Sequence, residues 1–266
     1  MKKVLVIVAM LISASAFAAT SDIVSSNNQI SIQKISTNVD YTESGGAFGS
    51  PSGTLDTETG KVGGYAVSLS TMNDIFYVKV NYDRSKGNTN YTGSFQGGTF
   101  GSVVTTSGAI LSNASIQLGH GISITHKGML TPYLEYGNHK WDRELNYDET
   151  YTHNYYGIGA LGQYSPFGGL VLSANVMGGK TVGANMVATS GGQSLNFTLG
   201  DSNLTRVGAS ADYAFTKNFH GNVGVDQTRF QYGHSQFIPT GPTYGIFEPD
   251  SKTTYTTVKV GVGYAF

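Results

Sequence analysis

The side chains able to do acid–base or nucleophilic work are few and lie far apart along the chain. Asp83, His139, Asp142, His153 and His234 supply the carboxylates and imidazoles that could activate a water molecule. Such a pair must reach one water together, and the spacing of these residues defines no such pair. His234-Ser235 sets a hydroxyl beside an imidazole, but a serine nucleophile also needs a positioned base and oxyanion donors, which a dipeptide does not supply. No G-x-S-x-G occurs, metal-ligand spacing is absent, and the chain has no Cys. The expectation is no enzyme, no cofactor and no metal.

A second set of charges has a different character. Lys34, Lys79, Arg206 and Lys259 stand against Asp40, Asp83, Glu135, Asp212 and Asp226, all on the polar side of alternating segments. A lone buried charge costs several kcal/mol, so nearly balanced charges on one face are expected to pair or stay wet. Lys259 lies seven residues before Phe266 and Asp226 seven after Phe219, with Asp40 at a similar level on the first strand. Lys259 is therefore expected to pair with Asp226 or Asp40.

The elements that carry these charges alternate with a period of two. Val258, Val260, Val262, Tyr264 and Phe266 oppose Lys259, Gly261, Gly263 and Ala265, which puts the two sets on opposite faces of a strand. The contrast recurs at 75–83, 130–137, 154–164, 206–216 and 219–228. Weaker cases are 33–42 (Ile35, Val39, Tyr41), 62–71, 112–122 and 170–177. Aromatics such as Tyr82, Tyr164, Tyr213 and Phe215 mark the ends of the apolar faces, where an interfacial belt belongs. His120 and Lys180 fall on the apolar face by phase.

Composition narrows the class. The 266 residues include 36 Gly and 17 Tyr, only 12% are charged, and the net charge is −1. That excludes a large basic face, so nucleic acid is not an expected partner. Lys2-Lys3, the apolar run 4–12 and Ala16-Phe17-Ala18 have the layout of a secretory signal peptide over 1–18. No later apolar stretch approaches the roughly 20 residues a membrane helix needs. Amphipathic strands in lipid must close on themselves to satisfy their backbones.

The expected fold is thus all-β: a closed antiparallel up-and-down transmembrane β-barrel of about ten strands, over 30–266. Eight or twelve strands are the alternatives, because 33–42 and 100–112 read either way. Residues 19–29 are expected to be a flexible periplasmic lead-in. Short turns near 72–74, 124–128, 165–169 and 216–218 would face the periplasm. Long loops at 43–60, 84–108, 142–153, 187–203 and 235–252 would face outward. Inward Gly157, Gly159, Gly261 and Gly263 are expected to allow close packing rather than a water path.

The leader, the alternation and the ending Val260-Gly261-Val262-Gly263-Tyr264-Ala265-Phe266 resemble the small outer-membrane barrels of the opacity-protein and OmpA-like type. The resemblance implies location in the outer membrane, contact with its lipid and lipopolysaccharide, and handling by the barrel-assembly machinery during biogenesis. Tyr264 and Phe266 match the assembly signal. Outer-membrane proteases are similar in strand number and use aspartates with a His-Asp pair at the rim. Loops bearing Gly, Ser and Thr with Phe48, Tyr91, Phe95, Phe100, Phe197, Phe237, Tyr244 and Phe247 suit a surface-interaction or structural role, with a host or matrix ligand as partner. A narrow solute channel is the alternative, and a hydrolase the third reading.

Overall fold

A computed structural model describes residues 21–73, 76–94, 98–145, 148–239, 241 and 245–266. The leader and the loop aromatics Phe95 and Tyr244 lie outside the described residues.

Ten long strands form the wall. They are β1 (Gln29–Gly45), β2 (Gly53–Met72), β3 (Tyr77–Gly93), β4 (Val103–Gly119), β6 (Gly128–Glu144), β7 (Asp148–Tyr164), β8 (Leu170–Ser190), β10 (Asn203–Ala214), β11 (Phe219–Tyr232) and β14 (Asp250–Ala265). Short β5 (Ile122–Thr125) continues β4 beyond a break at His120-Gly121, and β9 (Gln193–Thr198) folds back on the upper end of β8. A two-residue ribbon, β12 (Ile238–Pro239) with β13 (Gly245–Ile246), sits between β11 and β14. Neighbours pair antiparallel all the way round, with β8–β10 and β1–β14 completing the ring. Every wall strand thus has two partners, as a strand in hydrocarbon requires.

The register fixes the tilt. Passing from Tyr164 through successive paired residues around the ring, one circuit returns to β7 at Thr152, twelve residues away. That shear on ten strands gives a tilt of about 40°, or about 2.5 Å of height per residue. On that scale the outward Tyr164, Tyr213, Phe215, Phe219 and Tyr264 form one girdle. Tyr65, Tyr82, Tyr136 and Tyr156 form a second, roughly 20 Å above it. Exposed Val, Leu and Ile fill the band between them.

Three expectations are corrected. The first strand has the opposite phase: Ser31, Gln33, Ile35, Val39 and Tyr41 face inward, while Ile30, Ile32, Lys34 and Asp40 are exposed. Lys34 and Asp40 therefore leave the interior set. The reason is height: Val39 and Tyr41 lie above the upper girdle, where water rather than lipid covers the wall, so the apolar face turns into the barrel. For the same reason much of the chain expected as long outer loops is strand. Segments 43–45, 53–60 and 84–93 carry their pairing well above the apolar band.

The expected lead-in is also ordered where it is described. Helix α1 (Ser21–Ser26) plugs the turn end of the barrel. Ile23 is fully buried among Met72, Tyr77, Met129 and Val171. Asn27 Nδ2 donates to Gln163 Oε1 at 2.6 Å, and Ser165 Oγ to Asp22 at 3.0 Å.

Candidate functional site

The interior is stacked in layers. At the turn end, Ser25 Oγ on α1 lies 3.4 Å from His220 Nε2, and His220 Nδ1 lies 2.5 Å from Asp212 Oδ1. Asp212 also accepts from Gln29 Nε2 at 3.2 Å. The order hydroxyl–imidazole–carboxylate is that of an acyl-transfer relay. With His220 only 2% exposed, however, the imidazole offers no open face to a substrate, and the trio acts as a tether from the helix to β10 and β11. His220→Ala is expected to raise protease cleavage within 21–28 severalfold while the barrel keeps its folded gel mobility; unchanged cleavage would show that Ile23 and the Asn27 and Asp22 hydrogen bonds hold α1 without His220.

The middle layer holds most of the predicted charges. Lys259 Nζ lies 2.5 Å from Asp226 Oδ2, on neighbouring strands β14 and β11. Arg206 Nη1 lies 2.6 Å from Glu135 Oε1, across the lumen. Tyr155 OH donates to Glu135 at 3.0 Å and Gln117 Nε2 to its second oxygen at 2.9 Å. Asp83 accepts from Asn81 and Asn113. Lys79 lines the same cavity of about 220 Å3 as Lys259, Asp226 and Arg206. Lys259→Met would leave Asp226 without its nearest cation; a loss of about 1–3 kcal/mol in urea unfolding is expected, partly restored by Asp226→Asn.

Glycine makes the room for this layer. A Cβ on Gly159 would sit 2.4 Å from the Tyr133 ring, and one on Gly137 would sit 2.4 Å from the Tyr155 ring. Gly261 and Gly263 accommodate Gln33 and Gln29 in the same way. The glycines admit neighbouring side chains rather than opening a channel.

Above lies an apolar and aromatic layer. Tyr41, Trp141, Tyr151, Phe230, Tyr232 and Tyr255 are all buried and pack with Val39, Val62, Leu111 and Met186. His139 and His153 lie tilted against each other at 5.2 Å within it, and His153 Nδ1 lies 2.5 Å from Tyr232 OH. These two imidazoles meet rings and a phenol, not a carboxylate. Of the other rim candidates, Asp142 pairs with Lys140 at 2.8 Å, and His234 meets Asp250 at 3.2 Å on the surface. Ser235 bonds Glu248 N–H and Gln236 O, not the neighbouring imidazole.

The uppermost layer is built from residues that the alternation does not mark. Arg143 is buried among Glu58, Glu149, Asp56 and Glu43, at 2.5, 2.9, 3.3 and 3.5 Å. Its guanidinium also lies over the rings of Tyr41, Tyr91 and Trp141. Glu248, from the segment after β13, accepts from Tyr151 OH at 2.6 Å. Burial pushes the Glu248 carboxyl up to about 8, reinforced by the charge of Glu149. The sequence signal available was Arg143 itself, in phase with Glu135, His139 and Trp141 on an inward face.

At the loop apex, Phe48 from the β1–β2 connection meets His234 and Phe247 edge-to-face and Phe237 at a tilt, with ring centroids 5.2–5.5 Å apart. Phe48 is 56% exposed and adopts φ +49°, a left-handed conformation uncommon for a non-glycine residue.

No protein-family model and no curated protein sequence matches the chain. Among solved structures it is similar to the outer membrane protease OmpT from Escherichia coli. The TM-score is 0.59 at 11% identity, over 96% of this chain and 100% of that one. It also matches the outer membrane protein OprG from Pseudomonas aeruginosa, with TM-score 0.44 and 12% identity over 90% and 96% of the two chains. The translocator domain of autotransporter NalP from Neisseria meningitidis gives TM-score 0.41 and 13% identity over 93% and 92%. The likeness to the protease is one of fold: a closed antiparallel β-barrel of ten strands.

Proposed function

We propose that this chain is a sealed surface barrel whose outer loops bind a protein or glycan ligand, and that it neither conducts solutes nor acts as an enzyme. The observation that carries the reading is the closed interior. Helix α1 fills one end, the Arg206–Glu135 bridge crosses the middle, and the aromatic layer with Arg143 fills the other end. A cavity of about 220 Å3 lies along the lumen between them, and the packed layers at either end support reading it as a pocket rather than a path.

The four-ring cluster of Phe48, His234, Phe237 and Phe247 supports the binding role. It joins two loops into one surface, and aromatic side chains give large contact area at small entropic cost. Two arms test the reading. Planar-bilayer recordings of the refolded protein should show no steady conductance. Binding of protein-bearing cells to immobilised matrix protein or glycan should fall at least tenfold in Phe48→Ser/Phe237→Ser. Steady single-channel steps would replace the reading with a channel; binding indifferent to both phenylalanines would remove the apex.

A further inference from the structure

We propose that the open edge of β9 is a docking edge for an extended segment of a partner protein, which adds to it as a further antiparallel strand. The inference rests on the surface-binding reading and names a protein strand, not a glycan, as the ligand. β9 stands clear of the membrane. Lys180 of β8 pairs with Tyr156 of the upper girdle, whereas β9 pairs only with 185–190, more than about 10 Å higher along the tilted wall. Gly191 and Gly192, at φ +57° and +80°, make the two-residue turn that joins β8 to β9. Such a turn closes on a hydrogen-bonded pair, here Ser190 with Gln193. Bonded and non-bonded pairs alternate from there. Leu195 and Phe197 therefore direct their backbone groups at β8, while Ser194, Asn196 and Thr198 aim theirs at the other edge.

One side chain caps that edge among the described residues. Gln236 Oε1 accepts from Thr198 N–H at 3.0 Å, and Gln236 Nε2 donates to the Asn196 carbonyl at 3.2 Å. The side-chain amide stands where the backbone amide of a next strand would stand. The chain itself begins that strand and abandons it. Gly233 and Gly200 bond each other in both directions, but beyond Gln236 the chain turns into the ribbon β12–β13 over the barrel mouth. Among the described residues no partner takes the N–H of Asn196 or the two backbone groups of Ser194, and both residues are exposed. Open edges are ordinarily guarded by charge, proline or a bulge. Residues 181–200 hold no charged residue and no proline, and the β8–β9 register has no bulge. An added strand gains main-chain hydrogen bonds here and places its side chains alternately on the two faces. One face offers Ser194 and Asn196; the other offers the half-exposed Leu195, with Phe237 of the apex cluster next in the chain to Gln236. A segment alternating β-branched polar and apolar residues fits both faces. A second copy in the same membrane stands the same way up, so its β9 runs in the same sense and cannot continue the antiparallel ladder.

The probe is a biotinylated peptide of alternating threonine and valine with a lysine at each end, added at up to about 1 mM to refolded protein in neutral detergent. Binding is expected, with slowed amide exchange at Ser194 and Asn196. Opposed residues of an antiparallel pair share a face, so the peptide's threonines, opposite Ser194 and Asn196, aim their N–H groups at β9. N-methylation of the threonines should abolish binding, and N-methylation of the valines should change it less than threefold; this comparison leaves the protein unaltered. Asn196→Pro removes the edge donor and spares the ladder to β8, because proline is tolerated where the N–H of an edge strand faces outward. It should weaken binding at least tenfold, while Asn196→Ser, which keeps the N–H, should bind as the parent does. Gln236→Ala uncovers two further backbone groups and should tighten binding at least threefold. No binding at the highest concentration, equal losses with the two methylated peptides, or full binding in Asn196→Pro would overturn the docking edge. Matrix-protein binding that falls in Phe48→Ser/Phe237→Ser and is unchanged in Asn196→Pro would leave the surface reading standing and overturn this inference alone.

Discussion

Arg143→Met is expected to cost the folded barrel about 3–5 kcal/mol, the effect of removing one partner from a buried ionic group. The side chain is 2% exposed and is the only cation within 4 Å of Glu43, Asp56, Glu58 and Glu149 among the described residues. Without it, like charges face one another in a space closed by Tyr41, Tyr91, Trp141 and Tyr151. They must then take up protons or push the strand ends apart. Glu58 is the partner to test alongside, since it is fully buried, bonds the guanidinium Nε and accepts from Thr89. Glu58→Gln in the Arg143→Met background is expected to recover part of the loss. The measurement is urea unfolding in detergent, followed by gel mobility and tryptophan fluorescence; Trp141, the single tryptophan, packs against Tyr41 and Tyr151 beside the cluster. A variant as stable as the parent would mean that the carboxyls are already protonated and that the arginine does not hold them.

Much of the wall was legible because lipid enforces a strict alternation. Val258, Val260 and Val262 against Lys259, Gly261 and Gly263 can be assigned with no knowledge of the partner strands, since the medium outside is uniform. The same logic gave the pairing of Lys259 with Asp226 one of its two named partners. It failed on β1, where the apolar residues Ile35, Val39 and Tyr41 line the interior. There the strand crosses from lipid into water, and the rule for which face is apolar inverts along its length. Alternation alone carries no measure of height, and it therefore assigns Lys34 and Asp40 to the interior, where the register does not put them. Height came only from the register, which ties each strand to its neighbours.

The upper site was illegible for a related reason. Arg143, Glu43, Asp56, Glu58 and Glu149 come from four strands and lie in segments that resemble polar loops. Each is an ordinary surface residue on its own strand; they become a site only because the barrel brings β1, β2, β6 and β7 together above the membrane. Ser25 and His220 were hidden by sequence distance, 195 residues, and by the expectation that 19–29 is unstructured. Chain ends that dock on a distant strand carry no periodic signal.

The segment 233–249 is expected to open with rising pH, and Glu248 sets the direction. Its carboxyl is buried against Tyr151 and Glu149, and its backbone bonds Ser235 in both directions at 2.8 and 2.9 Å. Ile238 and Ile246 of the small ribbon pack on the aromatic layer, so the described residues of the segment cover the barrel mouth. With the segment closed, the Glu248 carboxyl titrates at about 8 instead of 4.5 and binds its proton more tightly than when exposed. Closure is then fully stabilised below the ordinary value and weakens by up to about 1.4 kcal/mol per pH unit between the two values. Above about 8 the contribution is gone. Limited proteolysis of 234–249 should accelerate at least tenfold from pH 6 to pH 9 in the parent. In Glu248→Gln, which keeps an acceptor for Tyr151 and cannot ionise, the rate should stay nearly flat after correction for the protease's own profile. A parent segment that stays equally resistant at pH 9 would show that Glu248 can ionise in place, with Arg143 holding both it and Glu149.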